Sequence, residues 1–328
     1  MNVSRNIISW LPLAAVVLIV ATAQGQGFTK TFPPASASAR ALVQTDDGGY
    51  FMAGEITATD QLFLQKTNPA GNVVWTNHLT LGGARALAAC KASDGGFVVL
   101  AENFADTNGL KNLLLKLSPT GTLLWQTVVG NTFLPNGLRD IIATSDGNFL
   151  AAGDTRNAQL NQDAWLVKFD QNGGILWSQK FGEATVNEQV SSLVELPGGS
   201  IAISGAGVHN GDRNLFLAKT DPSGNLVWQK WYDKPATQIA YDLLVMTDGG
   251  LMLLADTYGA DPTKITLLKA DADGTEDFFV QLFPWPITGN NPLYTVNSFV
   301  RDVADNFYIA GYGGYAGNPA SSSTFLMK

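Results

Sequence analysis

The feature that most constrains the fold of this chain is a repeat of about fifty residues. A turn dipeptide recurs six times, at Asp47-Gly48, Asp94-Gly95, Asp146-Gly147, Pro197-Gly198, Asp248-Gly249 and Asp305-Asn306. A lysine that ends a short apolar run recurs at about the same interval, at Lys66, Lys116, Lys168, Lys219, Lys269 and Lys328. An aromatic residue follows at Trp75, Trp125, Trp177, Trp228 and Phe278. Three independent features with one period indicate repeated copies of one structural unit.

Each copy has the pattern of four short strands. In the third copy, strand-like segments at 139–144, 149–153, 164–169 and 175–181 alternate with polar or glycine-containing turns. Asp146-Gly147 suits a hairpin because Asp-Gly accepts the positive φ that a tight turn requires. No segment after residue 23 has a convincing helical period. The sequence therefore predicts an all-β chain.

Four antiparallel strands repeated in this way predict the blades of a β-propeller. Inner strands of stacked blades are buried on both faces, which explains apolar runs such as Leu113-Leu114-Leu115. The repeated tryptophan is predicted to pack between neighbouring sheets, and the repeated lysine to be a solvated strand end. A solenoid is the alternative, although solenoid repeats are usually shorter. The 15% of charged residues and the 34 glycines agree with stacked sheets joined by tight turns.

The two ends of the chain predict how the array closes. The sixth copy stops at 324–328, where its third strand ends, and residues 28–32 match the fourth strand at 177–181. The N-terminal strand is therefore expected to complete the last blade and to close a single ring of six four-stranded blades. Truncation from a seven- or eight-bladed propeller is the alternative.

The N-terminal segment is predicted to be a targeting signal. Residues 1–23 hold one charge, Arg5, before an apolar run from Leu11 to Ala21 that is too short to span a bilayer. Ala21-Thr22-Ala23 fits a cleavage site, so we expect a secretory signal peptide, with an uncleaved anchor as the alternative. Residues 24–328 would form one domain with repeats at 39–83, 84–136, 137–188, 189–239, 240–294, and 295–328 plus the closing strand 28–32.

The composition excludes several classes of partner. A net charge of −8 argues against nucleic acid and anionic membrane surfaces. One cysteine excludes an internal disulfide framework, and two histidines leave little material for a histidine-rich metal site. We expect no metal, no cofactor and no membrane span after signal cleavage. The expected product is a monomer that is secreted, periplasmic or at the cell surface and binds a protein or a carbohydrate.

Motifs that carry chemistry are weak in this sequence. The segment 311–316 imitates a dinucleotide-binding loop, but no helix is predicted after it to hold the phosphate. The segment 271–277 clusters four carboxylates that would suit Ca²⁺, although other repeats have a plain turn there. Cys90 is expected to be a buried thiol, and His78 and His209 are expected to be surface residues without partners.

One group of residues is a candidate ligand site. Function in a propeller tends to lie in loops and strand ends near the central axis. The starts of the first, innermost strands carry Arg40, Arg85, Arg139, Asp140, Tyr241, Asp242 and Asn297. Arginines on an acidic protein would hold a carboxylate or sulfate group. The alternative is a set of salt bridges, for example between Arg139 and Asp242. Two irregular insertions, 284–286 and 312–315, are weaker candidates.

The repeat motifs resemble a known family. The pattern Asp-Gly-Gly-Tyr/Phe, Ala-Gly, Trp/Phe-Leu-x-Lys and Pro-x-Gly-Asn-x-x-Trp is similar to the secreted bacterial β-propeller repeat family over residues 24–328. The resemblance implies the fold and an exported or surface location, and almost nothing about activity. The Gly-x-x-x-Trp part also resembles repeats of quinone-dependent dehydrogenases and outer-membrane assembly scaffolds, which usually have eight shorter blades.

These observations favour an exported, non-catalytic binding or interaction propeller whose ligand the sequence does not identify. The first alternative is a propeller enzyme that acts on a polysaccharide or small polar substrate at the central axis. Asp140 and Asp242 would then supply the two carboxylates that a glycosidase requires. A quinone-dependent oxidoreductase is the second alternative, and the blade number disfavours it.

Overall fold

A computed structural model describes Phe32 and residues 37–103, 111–130, 137–156, 161–259, 264–282, 292–302, 306–315 and 318–328. Within these ranges the side chains of 292–295 and 312–326 are not described. The predicted signal peptide at 1–23, the predicted closing strand at 28–32 except Phe32, and the segment 284–286 lie outside the described residues.

The first of two compact units contains two four-stranded antiparallel sheets, and comprises Met1–Gly137 with Asp170–Gly174. Sheet 1 consists of β1 (Ala37–Gln44), β2 (Tyr50–Ile56), β3 (Gln61–Thr67) and β4 (Val73–Leu79). Sheet 2 consists of β5 (Ala84–Lys91), β6 (Phe97–Asn103), β7 (Lys111–Leu117) and β8 (Leu123–Val129). In both sheets each strand pairs with the next one along the chain.

The second unit contains four sheets, and comprises Leu138–Phe169 with Ile175–Lys328. Sheet 3 consists of β9 (Gly137–Ala143), β10 (Phe149–Arg156), β11 (Gln162–Phe169) and β12 (Ile175–Phe181). Sheet 4 consists of β13 (Gln189–Glu195), β14 (Ile201–His209), β15 (Asp212–Thr220) and β16 (Leu226–Tyr232). Sheet 5 consists of β17 (Thr237–Val245), β18 (Leu251–Tyr258), β19 (Lys264–Ala270) and β20 (Glu276–Leu282). Sheet 6 consists of β21 (Pro292–Arg301), β22 (Phe307–Tyr315) and β23 (Asn318–Met327).

The all-β prediction is confirmed, and each predicted repeat corresponds to one sheet. The four strands predicted in the third repeat are β9 to β12, and the loop expected at 154–163 is shorter because β10 and β11 extend into it. Within the described ranges, the sixth sheet has three strands where the others have four. None of the described residues belongs to a helix long and apolar enough to cross a membrane.

The turns form as the repeated dipeptides predict. In sheet 1 the backbone N–H of Thr45 donates to the carbonyl of Gly49 at 2.9 Å, and Gly48 has a φ of 77°. The second turn of the same sheet is closed between Asn68 and Asn72 at 2.9 Å, with Gly71 at a φ of 73°. A positive φ strains residues that carry a Cβ, so glycine is required here. The same two turns recur along the chain.

The sheets pack face to face on apolar side chains within each unit. In the first unit, the rings of Phe51 and Phe97 stack with their centroids 4.0 Å apart. In the second unit, one core lies between sheets 3 and 4, one between sheets 4 and 5, and one between sheets 5 and 6. Burial of both faces explains why the second strands are apolar runs.

The repeated tryptophan packs against the turn of the following sheet, as predicted. A Cβ added to Gly121 would lie 2.8 Å from the Trp75 ring, and one added to Gly224 would lie 2.6 Å from the Trp177 ring. The indole N–H of Trp75 also donates to the carbonyl of Pro119 at 3.1 Å. Glycine is therefore needed in this turn for both its φ and its small size.

The prediction that the repeated lysines are solvated strand ends is wrong for four of the six, whereas Lys328 is exposed as predicted. The Lys116 side chain is 5% exposed, and its Nζ lies 2.6 Å from the Asp94 carboxylate in the turn of the same sheet. Equivalent pairs are Lys66–Asp47, Lys168–Asp146 and Lys269–Asp248. The aspartate of the Asp-Gly dipeptide thus has two roles, because it shapes the turn and neutralises a lysine that is largely removed from water.

Candidate functional site

A β-bulge occupies one repeated position in the first strands. In β1 the pairing with β2 shifts between Ala39 and Ala41, so Arg40 is the extra residue. The same shift leaves an extra residue in sheets 2, 4, 5 and 6: Leu87, Ser191, Tyr241 and Asn297. Arg139 lies the same number of residues before the turn of sheet 3. Bulges redirect side chains and are common beside functional sites, and four of the sequence candidates lie at this position.

In the first unit, the two candidate arginines each bind a carboxylate of the second strand of their own sheet. Arg40 donates from Nε and Nη2 to Glu55 Oε1, at 3.1 and 2.6 Å. Arg85 donates from Nε and Nη2 to Glu102 Oε2, at 2.9 and 2.7 Å. These pairs correspond to the salt-bridge alternative. Both arginines are therefore engaged by a carboxylate inside their own sheet.

Arg139 pairs with a different carboxylate from the one expected. Its Nε donates to Asp154 Oδ1 at 2.9 Å, whereas Asp242 was the partner expected from the sequence. Asp154 lies on the second strand of sheet 3, at the position that Glu55 occupies in sheet 1. The Arg139 side chain is 48% exposed, while that of Asp154 is 3% exposed. Arg139 therefore still presents part of its guanidinium to solvent.

Arg213 joins Arg139 in the second unit and was missed by the sequence analysis. Its Nη2 donates to Gln189 Oε1 at 2.6 Å, and Gln189 Nε2 donates to Gln162 Oε1 at 2.9 Å. Gln162 Nε2 in turn donates to Asp154 Oδ2 at 2.7 Å. Burial lowers the pKa of Arg213, and the positive charge of Arg139 lowers it further. The network thus holds two cations around one carboxylate.

The two guanidinium groups keep unused donors. Among the residues that the structure describes, Gln189 is the acceptor of Arg213, and no carboxylate lies within ion-pair distance of that arginine. Arg139 uses its Nε on Asp154, and its terminal nitrogens have no acceptor within the described ranges. A guanidinium can make paired hydrogen bonds to a planar anion. We call the group Arg139, Arg213 and Tyr241 the arginine site.

Tyr241 connects the arginine site to a buried carboxyl group. Tyr241 interacts electrostatically with both Asp256 and Arg213. Asp256 Oδ2 also accepts from the Tyr258 hydroxyl at 3.2 Å and from the backbone N–H of Val296 at 3.4 Å. Asp256 is 0% exposed, and its Oδ1 has no partner in the described part of the chain. Burial raises the pKa of Asp256 to about 7.

Asp140 and Asp242 belong to a second polar group, which links the first strands of sheets 3 to 6. Ser192 Oγ donates to Asp140 Oδ2 at 2.9 Å and lies 3.3 Å from Asp242 Oδ1. Ser298 Oγ donates to Asp242 Oδ2 at 2.6 Å. Both carboxylates also accept backbone N–H groups. The two acids that the enzyme alternative requires are therefore engaged in hydrogen bonds between strands. We call these four residues the Asp–Ser chain.

The remaining candidates have local roles. Cys90 is buried and His78 is exposed, as predicted. His209 has partners, contrary to expectation: its ring stacks on Trp231 with centroids 4.7 Å apart, and its Nδ1 lies 2.7 Å from Asp233 Oδ1. Residues 312–315, which were expected to be an irregular insertion, lie in β22.

The acidic segment 271–277 forms a turn. Asp271 Oδ1 accepts the backbone N–H groups of Asp273 and Thr275, at 2.9 and 2.8 Å. Asp277 lies 3.1 Å from Lys269, which pairs with the turn of its own sheet. Within the described ranges, no group of three or more His, Cys, Asp or Glu side chains is arranged to hold a metal ion.

Two buried acids predict how stability depends on pH. Burial raises the pKa of both Asp256 and Glu188 to about 7, from ordinary values near 4. Between pH 4 and 7 the folded chain holds protons that the unfolded chain has released, so these groups make stability fall as pH rises. Each contributes at most about 1.4 kcal/mol per pH unit. In urea unfolding across this range, the free energy of unfolding of Glu188→Gln should fall less steeply with pH than that of the parent chain. An unchanged slope of this free energy against pH would contradict the raised pKa of Glu188.

Solved structures are similar to this chain in fold. No profile of a known protein family matches it, and no curated protein matches it. It superposes on the lectin BP39L from Burkholderia pseudomallei with a TM-score of 0.57 and 11% identity, over 91% of this chain and 88% of the lectin. The polysaccharide lyase Uly1 superposes with a TM-score of 0.56 and 10% identity, over 92% of this chain and 81% of the lyase.

The Hadza microbial sialidase Hz136 gives a TM-score of 0.52 and 13% identity, over 88% of this chain. The chain spans 64% of the length of that sialidase. These structures are β-propeller-like. The fold is therefore β-propeller-like. At identities of 10–13% the likeness shows the fold alone.

Proposed function

We propose that this chain is an exported, non-catalytic β-propeller binding module, and that it holds an anionic group of a carbohydrate at the arginine site. The observation that carries the proposal is the pair Arg139 and Arg213. Two cations are held together with unused N–H donors, in a chain whose net charge is −8. A cation that merely balanced the acidic surface would have a carboxylate partner, as Arg40 and Arg85 do. Arg213 has no carboxylate partner among the described residues, and Arg139 uses only its Nε on Asp154.

The geometry favours binding over catalysis. Asp140 and Asp242 serve as hydrogen-bond acceptors in the Asp–Ser chain, and Asp256 is fully buried and has no exposed atom to present to a substrate. The relatives include a protein named as a lectin, one named as a sialidase and one named as a polysaccharide lyase. A carbohydrate is the ligand class that these names share.

The finer architecture is part of the same proposal. We propose six blades closed into one domain, with the strand at 28–32 as the fourth strand of the last blade. The three strands of sheet 6, against four in every other sheet, support this closure. We also propose that residues 1–23 are a cleaved signal peptide and that the mature protein is a monomer. Mass spectrometry of the exported protein tests it, because a mature N-terminus beyond residue 32 would remove the closing strand.

The binding proposal predicts the effect of removing one cation. Arg213→Gln should weaken binding to an acidic glycan by about tenfold or more, because a hydrogen bond to a charged group contributes about 1.5–3 kcal/mol. A glycan array that includes neutral, uronate, sialylated and sulfated glycans would identify the ligand, and calorimetry would give the affinities.

The matched control for this prediction is Arg85→Gln, which changes the net charge equally but lies in the first unit in a pair with Glu102. It should leave the affinity within about twofold, since exposed charges are screened by salt. Equal affinities for Arg213→Gln and the parent chain, with both folded by thermal unfolding, would refute the site. An array with no acidic glycan bound would refute the proposed function.

A further inference from the structure

Asp256 occupies a position that carries an ion pair in other sheets. Glu55 in sheet 1 and Asp154 in sheet 3 lie at the same distance from the turn as Asp256 in sheet 5. Both of those acids pair with an arginine at the bulge position, Arg40 or Arg139. In sheet 5 the bulge residue is a tyrosine. Asp256 thus occupies the same position as Glu55 and Asp154, but the residue at the bulge of its sheet has a neutral hydroxyl instead of a guanidinium group.

Among the side chains that the structure describes, the other packed strands supply no cation as a partner of Asp256. Tyr241 reaches it from β17, Tyr258 from its own strand, and a backbone N–H from β21. On β19 its paired residue is the apolar Ile265, and Lys264 beside it donates to Gln281. A carboxylate buried without a cation is costly, so the neutral, protonated form is favoured.

Sheet 4 shows the converse arrangement. At its bulge and acid positions it has Ser191 and Ala206, which carry no charge. The cation there is Arg213, which comes from the third strand and has no carboxylate partner among the described residues. Among the described residues, sheet 4 therefore has an arginine without a carboxylate partner, and sheet 5 has a buried carboxyl group without an arginine partner. Tyr241, the bulge residue of sheet 5, interacts electrostatically with both.

The charge of this network depends on the proton of Asp256. With Asp256 neutral, the charges of Arg139 and Arg213 exceed that of Asp154 by one positive unit. With Asp256 ionised, the excess is cancelled. The charge of a single monoanionic group therefore balances the one excess positive charge of the network when Asp256 is protonated. The charge of a dianion such as a phosphate monoester is larger than that excess.

We propose that the arginine site takes one monoanionic group of a sugar, a carboxylate or a sulfate monoester, and that it binds this group together with a proton held on Asp256. This inference rests on the proposed function, since it assumes that the arginine site is the ligand site. Tyr241 and Asp256 act as positioning residues. The anion disfavours ionisation of Asp256 through the tyrosine hydroxyl, and by linkage a proton on Asp256 strengthens anion binding.

Calorimetric titration with defined probes tests the proposal. D-glucuronate, glucose 6-sulfate, glucose 6-phosphate and neutral D-glucose would be titrated between pH 5.5 and 8.5, in buffers of different ionisation enthalpy. Glucuronate and the sulfate ester remain monoanions throughout this range. For at least one of them, affinity should fall by about tenfold from pH 5.5 to 8.5, with net proton uptake on binding near pH 7. The phosphate ester and glucose should bind more weakly than the preferred monoanion.

The variant Asp256→Asn should bind the same probe with an affinity that is independent of pH, because the amide is neutral throughout. The matched control is Glu188→Gln, which removes the other buried acid whose pKa is raised to about 7, and should keep the pH dependence. A pH-independent affinity in the parent chain, no proton uptake, or the same pH dependence in Asp256→Asn would overturn the inference and leave the proposed function standing. Absence of binding by every probe and by the acidic glycans of the array would overturn both.

Discussion

Asp242→Ala is expected to lower the free energy of unfolding by about 3–5 kcal/mol. Asp242 is 8% exposed and accepts a hydrogen bond from the hydroxyl of Ser298, which is 1% exposed. It also accepts from the backbone N–H groups of Leu243 and Phe299, whereas the Ser192 hydroxyl donates its single proton to the closer Asp140. Truncation removes the carboxylate acceptor of these buried donors on β17 and β21. Urea unfolding of the parent and variant chains measures the loss.

A compensating variant separates lost hydrogen bonds from lost volume. Sheets 1 and 2 have Ala41 and Ala88 at the position of Asp242, both buried, so an apolar residue is tolerated there when its neighbours carry no hydroxyl. Adding Ser298→Ala to Asp242→Ala should therefore restore at least about 1 kcal/mol. A double variant whose loss equals the sum of the two single losses would show that the carboxylate acts by filling space.

Much of the fold could be predicted because the repeat is specified by local chemistry. The turns depend on Asp-Gly and on glycines at fixed spacing, and the apolar strands depend on burial of both faces of the sheet. Both signals can be read within one repeat, and their recurrence in the next repeat supports the prediction. The lysine was misjudged because its partner is the aspartate of its own turn. Lys116 and Asp94 are about twenty residues apart in sequence, and their contact follows from pairing across strands rather than from spacing along one.

The candidate site was only partly predictable because it depends on departures from the repeat. Arg139, Asp140, Tyr241 and Asp242 were found as polar residues in first strands, but Ser192 and Ser298 look unremarkable until the copies are aligned on their turns. Arg213 lies on a third strand, as Gln162 does in the preceding copy, each at the same distance before its repeated lysine. Alignment of the copies would have exposed this change from an amide to a cation. The β-bulge that orients the side chains at its position is defined by pairing with the neighbouring strand, so it cannot be recognised in the sequence of one strand alone.

Gly224→Ala is expected to be destabilising by about 3 kcal/mol, for two reasons that add. Gly224 has a φ of 81°, where a residue with a Cβ is strained by about 1–2 kcal/mol. The new Cβ would also lie 2.6 Å from the ring of Trp177 in the preceding sheet and 2.9 Å from Gln179 Cγ. Relief of that overlap requires the indole to move out of a packed interface, which costs about 1–3 kcal/mol.

The chain contains a control that isolates the second reason. Gly249 has the same φ of 81°, and a Cβ added there meets no atom within 4 Å, so Gly249→Ala should cost about 1–2 kcal/mol from backbone strain alone. In the background Trp177→Phe, which removes the outer part of the indole, the cost of Gly224→Ala should approach that of Gly249→Ala, because only the contact with Gln179 Cγ remains. This convergence in a double-mutant cycle by thermal or urea unfolding would establish the tryptophan–glycine contact as a coupling between adjacent sheets. Equal costs for the two glycine substitutions in the parent chain would contradict it, because backbone strain would then account for the whole effect.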